Sequence, residues 1–587
     1  MDILKQFWSE RLRTYLDQMA RTRGIDAAGV KEVSLILQRP PKPELGDLAV
    51  PMFPFAKMFR AAPPLLAAEI AEFAGEDAEA ASWGTAQADG PYVNIRVNLA
   101  RVTESLFADI RSREGSYGSS ESLAGNRVMI EFSCPNTNKP LHLGHLRNDS
   151  IGASVARILK ANGAEVRKVN LINDRGVHIC KSMLAYLKFG QGRSPESEGV
   201  KSDHFVGDYY VKFSQWAREN PAAEQEVQEM LRNWEQGDEA TVELWKLMNH
   251  WAIEGIESTY DKTDIVFDQV YYESSTYAKG REEVLKGLQS GIFHRDDEGT
   301  VWVDLEHIKL GKKVLLRKDG TSLYVTQDIG TAVQRYEDWP FDRLIYVVGS
   351  EQQYHFTVLF HILSQLGYSW ADQLYHLSYG MVNLPEGKMK SREGTVVDAD
   401  DLIDELERMA KQEIVEKGRE HEVDDLDNTA EAVALGALNY YLLQVTPAKD
   451  MVFNPKESLS FTGNTGPYLQ YMGARISSML RKYEAEGLSG PAADGSLLTL
   501  QVERELIKML AGYPDAVVQA GAELNPSVIA AYLYDLTRVF SRFYHDVPVL
   551  RAETPQLASS RIELCRAMRS VLMHACRLLG IPFLEVM

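Results

Sequence analysis

The most regular pattern of apolar and polar residues lies in the second hundred residues of the chain. Residues 128–130 are apolar with Phe132 close behind, which is typical of a buried strand. Apolar residues then recur at helical spacing until Asn162-Gly163, a usual helix end, and a second apolar run covers 166–172. The pattern predicts a strand, a helix and a second strand, with the segment EFSCPNTNKPLHLGHLRN at the turn into the helix.

Helical periodicity also predicts an amphipathic helix near the start, where apolar residues recur between Ile3 and Met19. The segment from Arg113 to Asn126 is rich in Ser and Gly and is typical of a linker. From about residue 190 to 261 the chain is polar and acidic with helical spacing. We interpret this part as a helical insertion in the α/β unit that begins with this strand–helix–strand pattern. We expect the insertion to be a solvated lobe without catalytic residues.

Later apolar runs predict that the sheet resumes after the insertion. They lie at 266–272, 301–305, 314–316 and 344–348. A helix is expected to begin near Gln353, and from about residue 405 to the end helix follows helix. The whole pattern predicts an α/β protein with a Rossmann-type parallel sheet and an all-α carboxy-terminal region.

Composition adds limits to this picture. The chain has 587 residues, 45% of them hydrophobic and 25% charged, which is typical of a soluble protein of about three to five domains. Its four cysteines lack C-x-x-C spacing, so we expect a reduced, cytoplasmic protein without a zinc site or disulfides. No apolar run approaches the ~20 residues of a membrane span, and the charged start is not expected to be a secretion signal. The net charge of −20 predicts that any nucleic acid must be bound by local basic residues.

Two histidines mark the turn between the first predicted strand and helix. His142 and His145 lie three residues apart with Gly144 between them. Such turns in open α/β sheets bind nucleotides, with phosphates at the positive end of the helix. The glycine permits close approach of a nucleotide, and imidazoles can donate to α-phosphate oxygens. Metal binding or two packed surface histidines would explain a bare H-x-G-H as well, but Lys139 just upstream favours phosphate chemistry.

At these residues the chain resembles a known family. The segment PNTNKPLHLGH resembles the first signature of class I aminoacyl-tRNA synthetases, in its arginyl-tRNA synthetase form, and GKMKSREGTVV resembles the second, usually written KMSKS. The resemblance extends to most of the chain, including both ends. It implies catalytic roles for His142, His145, Lys139 and Lys388, and ATP contacts from Gly144, Met389, Lys390, Ser391 and Arg392.

The resemblance also implies a division into domains. It places an α+β tRNA-contacting domain at 1–115, although a structural cap on the catalytic domain is the alternative. The class I catalytic domain is expected at 126–400, with the insertion near 190–261. A helical connector at 405–455 and an all-α anticodon-binding bundle at 456–587 would follow.

Within the predicted bundle, the resemblance favours Tyr471 and Arg475 as tRNA contacts, because aromatic and guanidinium groups stack on unpaired bases. Tyr468 is expected to belong to the core instead. Further positive charge is expected in the last helices, from Arg561, Arg566, Arg569 and Arg577.

The amino-acid site should contain carboxylates, because a guanidinium is a planar cation with five donors. Three acids follow apolar runs at predicted strand ends, namely Glu131, Glu273 and Asp328. The resemblance implies that Tyr324 and Asp328 face the guanidinium and that Glu131, Asn136 and Gln352 line the arginine site, with Glu273 as a further member. Which carboxylate meets the α-amino group stays open.

The expected reaction joins L-arginine to tRNA(Arg) with Mg-ATP, through arginyl-adenylate. The expected partners are tRNA(Arg), arginine and ATP, for a cytoplasmic monomer without a membrane partner or a tightly bound metal or organic cofactor. The resemblance also implies that tRNA must be bound before arginine is activated. The fourth position of the second signature is Ser391 instead of lysine. Either Lys139 or Lys390 is therefore expected to replace the missing charge.

Two other functions remain open from the sequence. A nucleotidylyltransferase shares the H-x-G-H turn but needs no tRNA, and the long helical carboxy-terminal region disfavours it. A non-catalytic tRNA-binding relative would be expected to lose signature residues, whereas His142, His145 and Lys388 are present.

Overall fold

A five-stranded parallel sheet lies at the centre of the molecule, which we describe from a computed structural model. The structure describes residues 2–38, 40–113, 115–321, 323–385, 397–421, 423–487 and 491–587. None of the helices in these ranges is long and apolar enough to cross a membrane.

The amino-terminal part is an α+β unit, as the resemblance implied. Its helices are α1 (Asp2–Thr22), α2 (Ala27–Glu32), α3 (Phe53–Phe59), α4 (Pro63–Glu76), α5 (Ala78–Trp83) and α6 (Leu99–Ser112). Its strands are β1 (Leu48–Pro51), β2 (Gly84–Asp89) and β3 (Tyr92–Val97), which form an antiparallel sheet in the order β1-β3-β2. Buried apolar residues of α1, such as Trp8 and Leu12, join one continuous core with this sheet.

The predicted strand–helix–strand unit is confirmed. It consists of β4 (Arg127–Glu131), α7 (Leu143–Ala161) and β5 (Glu165–Ile172). The insertion follows as α8 (Val177–Phe189), α9 (Pro195–Glu198), α10 (Ser202–Glu219), α11 (Ala223–Glu235) and α12 (Glu239–Lys262). The insertion has an apolar cluster of its own, centred on residues such as Met183 and Phe213.

The chain then returns to the sheet and leaves it again. The next elements are β6 (Gln269–Tyr272), α13 (Glu273–Gln289), β7 (His294–Arg295), β8 (Val301–Asp304), β9 (Lys312–Leu316), α14 (Tyr324–Asp338), β10 (Arg343–Gly349), α15 (Gln353–Gln365), β11 (Leu374–Tyr379) and β12 (Val382–Asn383). The parallel order is β11-β10-β4-β5-β6, so the direction of strand addition reverses between β4 and β10. Ligands bind at such a switch point in open α/β sheets.

Two expectations about this region are wrong. The runs at 301–305 and 314–316 do not extend the parallel sheet, because β7, β8 and β9 form a separate antiparallel sheet. Asp328 does not lie at a strand end, because Tyr324 begins helix α14. Short apolar runs of β-branched residues fit either kind of strand, and four residues are too few to separate a strand from a helix start.

The rest of the chain is helical, as predicted. It comprises α16 (Ala399–Glu416), α17 (Leu426–Leu443), β13 (Met451–Val452), α18 (Pro455–Ser458), α19 (Gly466–Ala485), α20 (Gln501–Glu523), α21 (Ser527–Asp546) and α22 (Pro555–Leu578). The short β13 pairs with β12 in parallel and ties this region to the catalytic unit.

Helix α7 connects the sheet to the helical region. Arg147 on this helix is completely buried, and its guanidinium donates to the carbonyl oxygens of Gly380 at 2.6 Å, Met381 at 2.9 Å, Pro447 at 3.3 Å and Lys449 at 2.7 Å. Burial lowers the pKa of Arg147 to about 10, so the group remains charged at neutral pH. One side chain therefore holds the signature helix, the end of the sheet and the helical region together.

Helices α13 and α14 cross unusually closely, and two glycines permit this. A Cβ at Gly280 would overlap the carbonyl oxygen of Thr326, and a Cβ at Gly330 would overlap the backbone of Gly280. The hydroxyl of Thr331 donates to that of Thr276 at 2.9 Å across the same contact. The crossing fixes the helices that begin with Glu273 and Tyr324.

We expect Gly280→Ala to separate these two helices. Overpacking costs about 1–3 kcal/mol. Because the resemblance implies that Glu273 and Tyr324 line an arginine site, the shift should weaken arginine binding while ATP binding changes little. The measurement is an arginine titration together with the Tm. The matched control is Gly75→Ala in α4, where a Cβ would meet nothing within 4 Å; it should leave both quantities unchanged or raise the Tm. Equal arginine affinity in the two variants would contradict this role of the crossing.

Candidate active site

The loop after β4 is held in a strained conformation by two asparagines. Ser133 and Cys134 have φ angles of 72° and 51°, in the left-handed region. The side-chain oxygen of Asn148 accepts the N–H of Ser133 at 2.7 Å, and that of Asn170 accepts the N–H of Cys134 at 3.0 Å. Such strain is typical of functional sites. The turn directs the chain from the end of β4 across the switch point toward the two histidines.

His142 and His145 form the amino-terminal cap of α7. The Nδ1 atom of His142 accepts the N–H of Gly144 at 3.1 Å, and the Nδ1 atom of His145 accepts the N–H of His142 at 3.1 Å. Their ring centroids lie 3.9 Å apart. A Cβ at Gly144 would lie 2.9 Å from the His142 ring, so glycine is required for this packing.

These hydrogen bonds decide where the imidazole protons lie. Burial and the nearby charge of Lys139 lower the pKa of His142 to about 4, and burial and His142 hold the pKa of His145 well below its ordinary value. Both rings are therefore neutral at neutral pH. Because each Nδ1 is an acceptor, each proton lies on Nε2. The cap presents two neutral N–H donors at the positive end of a helix, which suits an anionic group.

A cavity of about 530 Å³ adjoins this cap. The signature loop contributes Asn136, Lys139 and His142 to its lining, and burial lowers the pKa of Lys139. The insertion lines the opposite side. Its contribution comprises His178, His204, Gly207, Asp208, Tyr210 and Val211. Helix α10 of the expected insertion therefore borders the site, as does α8, which precedes the expected start near residue 190.

Acidic groups lie next to Tyr324, which also lines the cavity. Burial, together with the carboxylates of Glu273 and Asp328, raises the pKa of the Tyr324 hydroxyl. Burial raises the pKa of Glu273 to about 7; Arg175 opposes this shift, and Asp328 and Asp174 add to it. The positive charge around Glu273 is thus too small to offset its burial and its acidic neighbours.

Asp328 and Glu131 both have cationic or ionisable partners. His355 Nε2 lies 2.5 Å from Asp328 Oδ2, and both side chains are partly exposed. Glu131 pairs with Arg335, and this pair is almost fully buried. Burial alone would lower the pKa of Arg335, but the Glu131 carboxylate raises it above its ordinary value. The negative charge of Glu131 is therefore already neutralised by Arg335, whereas the carboxylate of Asp328 remains accessible to solvent.

The remaining predicted site residues are placed as follows. Asn136 pairs with Asn173 after β5 in an isolated parallel bridge. Gln352 is exposed on the turn that follows β10, on the other side of the switch point. The run Lys388-Met389-Lys390-Ser391-Arg392 lies outside the described residues.

The predicted tRNA contacts lie together in the helical region. The Arg475 guanidinium lies 4.0 Å from the ring centre of Tyr544 and 5.8 Å from that of Tyr471, and Arg419 lies 5.3 Å from Tyr471. All four side chains are half-buried. Tyr471 and Arg475 lie on α19, Tyr544 lies on α21, and Arg419 follows α16 along the chain. Tyr468 is half-buried and packs against the core of the helical region.

The arginines expected to add charge in α22 have internal partners. Arg561 forms a buried ion pair with Glu503 at 2.8 Å. Arg569 pairs with Glu585, Arg566 lies 3.4 Å from Glu563, and Arg577 donates to a main-chain carbonyl. Arg561 thus contributes to the packing of the helices, whereas Arg566 and Arg569 remain partly exposed.

A larger cavity, of about 870 Å³, separates the amino-terminal sheet from α20 and α21. Its charged lining includes Asp47 paired with Lys508, and Arg542 paired with Glu505 at 2.9 Å. No signature residue lines it. The smaller cavity at the histidine cap is therefore the candidate active site.

Sequence reasoning missed several residues at the site. His355 was detectable in principle, since it follows the predicted strand end and Gln352 by three residues. Arg335, Asp398 and His204 carry no local signal. Arg335 pairs with Glu131, and His204 pairs with Asp398. A long stretch of chain separates the two members of each pair, so only the folded structure brings them together.

Comparisons with known proteins agree with this architecture. A family model described as "tRNA synthetases class I (R), catalytic domain" matches residues 108–455, "Arginyl tRNA synthetase N terminal domain" matches 7–97, and "DALR anticodon binding domain" matches 469–587.

Curated relatives and a solved structure match over nearly the whole length. Arginine–tRNA ligase of Treponema denticola is 57% identical over 557 residues, which cover 94% of each chain, and that of Treponema pallidum is 52% identical over 592 residues, covering 100% of each. The structure of Thermus thermophilus arginyl-tRNA synthetase matches with a TM-score of 0.79 and 28% identity, covering 98% of this chain and 99% of that one.

Proposed function

The chain belongs to the class I arginyl-tRNA synthetase family, and from this we propose how its residues carry out the ATP-dependent joining of L-arginine to tRNA(Arg). In the first step the carboxylate of arginine attacks the α-phosphorus of ATP and releases pyrophosphate. In the second, a hydroxyl of the terminal adenosine of the tRNA attacks the carbonyl carbon of arginyl-adenylate, so that an ester forms and AMP leaves with the broken acyl–phosphate bond. No side-chain nucleophile is needed, because the protein supplies positioning and charge stabilisation.

The observation that carries the choice of substrate is the pair of carboxylates beside Tyr324, of which Glu273 is buried with too little positive charge around it. Burial and these two carboxylates raise the pKa of Tyr324, and burial raises the pKa of Glu273 to about 7. A guanidinium between these acids would supply the missing charge and up to five donors. We assign the side chain of arginine to Asp328 and Glu273, with Tyr324 beside it.

The same reasoning orients the other end of the substrate. Arg335 already engages the Glu131 carboxylate, so this group cannot offer both of its oxygens to the fork of a second guanidinium. We assign Glu131, with Asn136 and Gln352, to the α-amino and backbone side of arginine.

The histidine cap is assigned to the α-phosphate. His142 and His145 present neutral Nε2–H donors, which strengthen as charge develops in the transition state. Lys139 brings a partly desolvated cation to the same side. We propose that Gly144 allows the close approach of ATP and that Lys388, Met389, Lys390, Ser391 and Arg392 meet its phosphates from the other side.

We propose that Mg²⁺ enters with ATP and not as a resident ion. Among the described residues, one group has the spacing of a metal site, Asp203, His204 and Asp400. The ammonium of Lys201 already contacts Asp400 at 2.6 Å and Asp203 at 3.2 Å. That group is therefore a poor site for a further cation.

We propose further that tRNA(Arg) spans both ends of the chain. Tyr471 and Arg475 would stack on anticodon bases, and the domain at 1–115 would contact the body of the tRNA. The catalytic unit at 126–400, its insertion near 190–261, the connector at 405–455 and the bundle at 456–587 remain our proposed divisions. A cytoplasmic monomer is the proposed working form.

The first functional prediction is that purified protein charges bulk tRNA with arginine and rejects lysine, whose ammonium cannot satisfy a forked carboxylate site.

Asp328→Asn should weaken arginine binding by about 2–5 kcal/mol, because a desolvated cation loses a charged partner. Charging assays and an arginine titration measure both. ATP binding should change little.

Glu337→Gln is the matched control for Asp328→Asn. Glu337 lies on the same helix, half-exposed and paired with Lys279, and its loss should not change arginine affinity. Equal charging with lysine, or an unaltered arginine affinity of Asp328→Asn, would contradict the assignment of the pocket.

Lys139 should supply the positive charge that is missing at Ser391, where the usual second signature has a lysine. We expect Lys139→Ala to lower adenylate formation by about 10²-fold or more, the scale of one transition-state donor, while transfer from preformed adenylate suffers much less. Pyrophosphate exchange with tRNA present measures the first step. Lys390→Ala is the comparison, and if it alone is slow in exchange, the compensating lysine lies in the second signature and our assignment is wrong.

A further inference from the structure

Helix α10 of the insertion lies directly against the signature loop. A Cβ at Gly207 would lie 2.9 Å from Pro140 Cδ, so the helix touches the residue next to Lys139. His204, about one turn earlier on this helix, lines the same cavity as His142. The insertion therefore supplies a wall on the phosphate side of the site.

Two acids line this wall, Asp208 on α10 itself and Asp398, and it is Asp398 whose backbone is paired with the signature loop. The N–H of Leu143 donates to the carbonyl of Val397 at 3.2 Å, and that of Ala399 donates to Leu141 at 3.1 Å, so the backbone around Asp398 is paired with that around His142. Its carboxylate caps α16 by accepting the N–H of Asp400 at 2.9 Å. It also lines the cavity. Left unneutralised, a carboxylate there would repel an incoming triphosphate.

His204 supplies the opposite charge. Its Nε2 lies 3.2 Å from Asp398 Oδ2 and 3.6 Å from Asp400 Oδ2. The carboxylates of Asp398 and Asp400 at these distances raise the pKa of His204 to about 10 against the effect of burial, and Asp203 contributes in the same direction. The ring is thus an imidazolium at neutral pH, whereas His142 is neutral. Among the described residues, His204 is the ion-pair partner of Asp398.

Other charges in this cluster are directed to Asp400. Lys201 contacts its Oδ2 at 2.6 Å, and Lys262 lies 3.5 Å from its Oδ1 and 3.0 Å from Asp404. Burial alone would raise the pKa of Asp400, but hydrogen bonds from His204 and Lys201 hold it below its ordinary value. Two lysines thus anchor α16 to the insertion without neutralising Asp398.

We propose that His204 is a positioning residue for the phosphate side of the active site. Its imidazolium neutralises Asp398 and holds that carboxylate as the cap of α16, which leaves the cavity receptive to the anionic triphosphate. The inference rests on the proposed function, because it requires the phosphates of ATP to lie beside His142. It gives the insertion a specific part in adenylate formation.

The test is a suppression experiment in pyrophosphate exchange with tRNA present. His204→Asn should raise the KM for ATP about tenfold or more, from one uncompensated charge near the phosphates, with a smaller effect on kcat and on arginine binding. Asp398→Asn alone should lower the KM for ATP, and asparagine still caps a helix. In the double variant the KM should return to within about threefold of the parent value.

Two further variants separate charge from structure. His204→Lys keeps the cation and should retain a KM for ATP nearer the parent value than His204→Asn does. Lys262→Gln removes the contacts of this lysine with Asp400 and Asp404, which do not involve Asp398. This variant should change the Tm but not the KM for ATP. Circular dichroism and the Tm of each variant show whether the fold is kept.

A double variant as impaired as His204→Asn would overturn the proposal, because suppression requires that the uncompensated acid causes the defect. An Asp398→Asn protein that needs much more Mg²⁺ would overturn it as well, since Asp398 would then be a metal ligand. His142→Ala in the same assay tests the proposed function. If it abolishes exchange while His204→Asn has no effect, only the present inference fails; if it has no effect, the phosphate site itself is misplaced.

Discussion

The burial of helix α7 on nearly all sides is the constraint on which the rest of the structure depends. A helix so enclosed must satisfy its polar side chains inside the protein. Arg147 does so through four carbonyls of other segments, Ser150 through Asn439 on α17, and Ser154 through the carbonyl of Leu578 on α22. The sheet and the carboxy-terminal helices are therefore fixed relative to the one helix whose amino terminus carries His142 and His145.

The site built on this helix has two electrostatic halves. At the cap, two neutral imidazoles, a partly desolvated lysine and a helix terminus favour negative charge, and of the two acids that line the cavity there, Asp398 is paired with His204. Around Tyr324, Glu273 is buried beside Asp328 and Asp174 with too little positive charge to keep its pKa low, whereas Asp328 is paired with His355. In the proposed function, the anionic nucleotide binds at the first half and the cationic side chain of arginine at the second.

Local pattern predicted much of this architecture. The strand, turn and helix around His142 were clear because apolar spacing changes there from strand to helix within one short segment, and the family resemblance named the residues of the loop. Long-range pairing was not predictable. Nothing near Arg335 points to Glu131, and nothing near His204 points to Asp398, because these partners meet only after the chain has folded. The antiparallel β7–β9 sheet was missed for a related reason, since short apolar runs do not specify their neighbours.

We propose that a bound arginine guanidinium compensates the buried carboxylate of Glu273, and proton release on arginine binding measures this compensation. Burial raises the pKa of Glu273 to about 7, Arg175 opposes the shift, and Asp328 and Asp174 add to it. A bound guanidinium favours its ionised form, so arginine should bind more weakly as the pH falls below 7, approaching about tenfold per pH unit. Calorimetry in buffers of different ionisation enthalpy should show about half a proton released per arginine at pH 7, and none in Glu273→Gln. An affinity that does not vary with pH, with no proton released, would contradict the account.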